Sequence, residues 1–145
     1  MMRSSFRDQR RAGTGIRLAV LLLAVSALFP GVWALASPRS FFLHFPGLGQ
    51  EWTRAFPPYN EHLVRDIGSF FLAIGVLLGT AAVTADRRTI RVALFTYLVF
   101  SIPHAIWHGQ HLTGSGSADR WGPVGALIAG IALSVGLLFA IGRRR

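Results

Sequence analysis

The chain has 145 residues, of which 52% are hydrophobic and only 14% charged, against about a quarter charged in ordinary soluble domains, so the composition points to membrane insertion. Every one of the 15 basic residues is arginine and the net charge is +9, but the arginines flank apolar runs instead of alternating with aromatics along a soluble face, which argues against a nucleic-acid partner. There is no cysteine, and that excludes disulfides, iron–sulfur ligation and thiol catalysis while leaving the redox compartment undetermined.

Residues 1–17 form a basic tail. From Leu18 to Ala36 no residue is charged, a run long enough to cross a hydrocarbon core of about 30 Å as a helix. An Arg-rich start with small residues at Ala34, Ala36 and Ser37 also has the layout of a cleavable signal peptide, but the length of the run favours a retained first span. The connection that follows, SPRSFFLHFPGLGQEWTRAFPPYN, carries Phe41, Phe42, Phe45, Trp52 and Phe56 and is too apolar for a loose linker. Its Pro-Gly and Pro-Pro pairs set turns. It is expected to form one short amphipathic helix over about Leu48 to Phe56, lying on the membrane surface as a lid.

A second span is expected over about 67–85, a third over 92–107 and a fourth over 123–142, ending at an Arg tail of residues 143–145. The expected fold is therefore all-α, a single four-transmembrane-helix bundle over residues 18–142 with a short amphipathic exoplasmic helix between the first two spans. Eleven arginines fall on the side of the two termini and the Arg87 turn, and four on the other. By the positive-inside rule both ends are cytoplasmic in a multi-pass cell-membrane protein, and the lid is exoplasmic. Trp33, Trp52, Trp107 and Trp121 fall near the outer boundary, where indole rings prefer to sit. Gly75 and Gly79 make a GxxxG in the second span, and Ala126, Gly130 and Ser134 a small stripe on the fourth. Both suit close helix packing, within the chain or against a homo-oligomer or membrane partner.

Polar residues collect at the outer face. His104, His108 and His111 stand at i, i+4, i+7 and share one side of the third helix. Asn60 reads as an N-cap, followed by Glu61; His62, Arg65, Asp66 and Ser69 then form a stripe on the second helix. The antiparallel connection puts both stripes at one depth, where they are expected to meet. Neutral imidazoles with a carboxylate suit zinc, copper, iron or nickel, so His62, Asp66, His104, His108 and His111 are candidate ligands of a transition metal or haem, with Glu61 and Arg65 as further cofactor-binding candidates. The competing reading is a structural polar clamp between the second and third helices. Pro103 removes one helical hydrogen bond and is expected to kink the third span. An enzyme is the least supported class: no HExxH motif occurs, and Ser69 and Ser101 read as ordinary membrane-helix hydroxyls rather than nucleophiles.

The FPG, PPYNEHLVRD and PHxxxHxxH elements, within about Leu35 to Leu112, resemble a group of small four-span bacterial membrane proteins common in actinobacteria. The layout is also similar to the DoxX-like set of four-helix membrane proteins. The resemblance implies a fold and a membrane location and brings no activity with it.

Overall fold

The computed structural model of the protein describes residues 11–114 and 116–143. The elements run α1 (Thr14–Ala36), α2 (Pro38–His44), β1 (Pro46–Gly47), β2 (Gln50–Glu51), α3 (Glu61–Thr84), α4 (Arg87–Gln110) and α5 (Ser117–Gly142). Helices α1, α3, α4 and α5 are each long and apolar enough to cross a membrane. Their outward faces carry Leu22, Phe29, Phe70, Val99 and Phe139 in exposed positions. In water such surface would be an aggregation hazard; facing lipid it is the expected exterior of a helical membrane protein. The chain is an all-α four-helix bundle and a multi-pass membrane protein. Arg3, Arg7, Arg10, Arg144 and Arg145, which entered the arginine count, lie outside the described residues.

Each spanning helix begins before the apolar run that announced it, because the caps lie in the polar flanks. Asn60 accepts from the Leu63 amide and starts α3, six residues ahead of the uncharged stretch. Asp86 accepts from both the amide and the hydroxyl of Thr89 and starts α4. Unpaired amides at a helix start need such acceptors wherever water is scarce. Helix α4 continues through Pro103 to Gln110.

Helices α1 and α3 form the tightest pair, and glycine makes it possible. A methyl group on Gly31 would sit 2.7 Å from the Leu72 amide nitrogen, and one on Gly68 would sit 2.9 Å from the Ala34 side chain. Gly75 lies equally close against Leu28, whereas Gly79 faces open space. The seam therefore uses Gly31, Gly68 and Gly75, and the Gly75/Gly79 pair read from the sequence is only half engaged. On α5, Gly130 and Ser134 are buried and Ala126 is exposed; Gly130 lies beneath the Tyr97 hydroxyl of α4. The centre is closed by Val20, Leu78, Ile90, Leu94 and Ile141, all fully buried.

The connection between α1 and α3 differs from the expected helix over Leu48 to Phe56. Its helix lies earlier, at Pro38–His44, with proline in the first turn, where the missing amide hydrogen costs nothing. Residues 46–51 instead form a β-hairpin pairing Pro46 with Glu51 and Gly47 with Gln50. Gly47, Leu48 and Gly49 all have positive φ, a backbone that a helix cannot contain.

Candidate functional site

One end of the bundle gathers the C-terminus of α1, the N-terminus of α3, the C-terminus of α4, the start of α5 and the α1–α3 connection, which acts as a lid. The lid is held at three points. Trp33 of α1 packs edge-on against Phe41 and Phe45. Phe56 packs on Trp107 and His108 of α4, with ring centroids 4.8 and 5.5 Å away. Trp52 lies so close over Gly122 of α5 that a Cβ there would overlap the indole, and next to it Asp119 accepts the Glu51 amide at 3.0 Å. Inside the lid the Thr53 hydroxyl bonds the carbonyls of Phe41 and Phe42 at 3.1 and 2.8 Å, closing the end of α2. Sequence reasoning found the lid's aromatics but not the Asp119 and Thr53 ties. An acid in the first turn of a helix is the one signal that marked Asp119.

At the start of α3, Arg65 reaches sideways. Its guanidinium bonds Glu61 at 2.8–2.9 Å and donates through Nη1 to the Leu35 carbonyl at 2.8 Å. Leu35 is in the last turn of α1, where carbonyls lack helical partners, so one side chain caps α1 while paired to the first helical residue of α3. Glu61 in turn favours the positive end of its own helix. Tyr59 donates to Glu61 at 3.3 Å; partial burial, and then the adjacent carboxylate, hold its hydroxyl above the ordinary phenol range. This clamp joins the first span to the second, rather than the second to the third.

His62 and Asp66 form a pair at 3.3 Å on the outside of α3, with their side chains 88% and 54% exposed. Phe71 of α3 packs toward the histidines, its ring 6.5 Å from that of His104. At 100° per residue Asp66 lies about 140° and His62 about 180° around the helix from Phe71. The two polar stripes share a depth but point in different directions. The packed side of α3 is fixed by Val64, Gly68, Gly75 and Leu78, and the acid stripe falls opposite it.

The three histidines at the end of α4 also divide. His104 and His108 face each other with Nε2 atoms 2.9 Å apart and rings 16° from parallel, one nitrogen donating to the other. Phe100 flanks His104 edge-on, and Trp107 and Phe56 flank His108. His111 turns away: its Nδ1 lies 2.9 Å from the Trp107 carbonyl and its ring stacks on that indole, so it finishes α4. Among the described residues no group of three or more His, Cys, Asp or Glu side chains is arranged to hold a metal ion. The expected ligands thus occur as two pairs and a helix cap. Compared with protein-family models, curated proteins and solved structures, the chain matches none.

Proposed function

We propose that this is a structural or interaction protein of the cell membrane, with both termini cytoplasmic and the lid outside, in which the polar residues that open α3 are a clamp rather than a ligand set. The observation that carries the reading is the Arg65 guanidinium, shared between Glu61 and the Leu35 carbonyl. A side chain committed to two partners on two helices is arranged for holding them together. Arginine suits that role because its planar fork serves several acceptors at once. A wider centre, a transition metal or haem held jointly by His62, Asp66, His104, His108 and His111, has less support, because its acid and its histidines lie on different faces of their helices.

The test is thermal unfolding in detergent together with haem absorbance. Arg65→Ala should lower stability by about 1 kcal/mol, a charge-assisted hydrogen bond discounted for its exposure. His62→Ala and Asp66→Ala should change it by only a few tenths, as an exposed ion pair does. If the purified protein carries a haem band that His62→Ala or Asp66→Ala abolishes, while Arg65→Ala leaves stability unchanged, the clamp reading fails.

A further inference from the structure

We infer that His104 and His108 alone form a cis-chelating site for a divalent tetragonal metal, Cu(II) above the others, placed beneath Phe56 of the lid. The inference goes beyond the clamp, uses none of its residues, and stands or falls separately. A nitrogen pair 2.9 Å apart, bridged by a cation at about 2.05 Å from each, subtends an angle of about 90°, the cis angle of square-planar and tetragonal complexes. Among divalent first-row ions Cu(II) binds an imidazole pair most tightly and favours this tetragonal arrangement, whereas zinc prefers a tetrahedral one. Position i to i+4 on one helix supplies the two donors without any rearrangement of the backbone.

In the metal-free state one Nε2–H donates to the other Nε2. Chelation requires the donor imidazole to carry its proton on Nδ1 instead, and each nitrogen lone pair to be re-aimed by about 45° from the N···N line so that both meet at one point; no proton need leave the protein. Phe100, Trp107 and Phe56 limit where the rings can turn, which keeps the pair together at low entropic cost. The remaining coordination positions fall to water or to a small donor from solution, because His111 is engaged by the Trp107 carbonyl and the His62–Asp66 pair is on the far side of α3. A site with two protein ligands and open positions exchanges its metal, in contrast to the closed four-ligand sites of structural zinc.

The full-length protein, purified in detergent without a histidine tag, is titrated with Cu(II) and followed by electron paramagnetic resonance. One tetragonal copper per chain with nitrogen hyperfine coupling is expected. His108→Phe, which keeps a ring in the aromatic setting, and His104→Gln should each weaken binding tenfold or more, since even residues behind metal ligands commonly contribute that much. His62→Ala and His111→Ala should leave the signal unchanged. Absence of the signal from the wild-type protein, or its survival in a helical His108→Phe or His104→Gln variant, overturns the inference. So does its loss in His62→Ala, which would restore the wider centre.

Discussion

Leu48 stands at the tip of the lid hairpin with φ of 58° and its side chain entirely in the open. A branched side chain in the left-handed region costs roughly 1–2 kcal/mol, and here no packing offsets it. Leu48→Asn places a residue that tolerates this backbone and should raise stability in detergent by about 0.5–1 kcal/mol, read as a higher unfolding midpoint. A fall would mean that the Leu48 side chain makes stabilising contacts in the detergent-solubilised protein. Asn60 was legible as a cap and Glu61 as a first-turn acid, because both depend on local geometry. Arg65 was legible as charged and functional in some sense, but its partner was not: the Leu35 carbonyl is thirty residues away, and a backbone acceptor leaves no mark in the sequence.

At the scale of elements, the four spans were legible because a soluble domain seldom contains even one uncharged apolar run of membrane length. The faces of those spans were harder to read. His62 and Asp66 did pair along their own helix, and His104 and His108 along theirs, as i, i+4 spacing requires. Which way a stripe points relative to the next helix depends on where the tight seam lies, and the sequence marks only part of that seam. Gly75 with Gly79 is the conspicuous motif, yet Gly31 and Gly68 join Gly75 in setting the approach of α1 to α3, and Gly79 takes no part. Gly31→Ala should destabilise by roughly 1–3 kcal/mol, since its methyl would press on backbone atoms that cannot turn aside. Gly79→Ala, facing open space, should be neutral or stabilising by up to about 1 kcal/mol through helix propensity. Equal losses in unfolding experiments would show that Gly79 also lies in a seam. The lid departs from its expected form for a related reason: its aromatics suggest an amphipathic helix, while Gly47 and Gly49 on either side of Leu48 are the stronger signal for a turn.

In the whole molecule, α3 turns its His62–Asp66 side away from α4 and uses Arg65 to hold α1. Depth and direction separate here: the antiparallel spans bring the acids of α3 and the histidines of α4 to the same end of the bundle, but rotation about each helix axis decides which groups meet. Since the chain has no cysteine, introduced pairs can be probed in native membranes without background. The most direct measurement is bis-thiol cross-linking with a short reagent across the α3–α4 interface. Phe71→Cys combined with His104→Cys should cross-link efficiently, whereas Asp66→Cys combined with either His104→Cys or His108→Cys should not. Efficient cross-linking from position 66 to either histidine position, with none from position 71, would contradict the account.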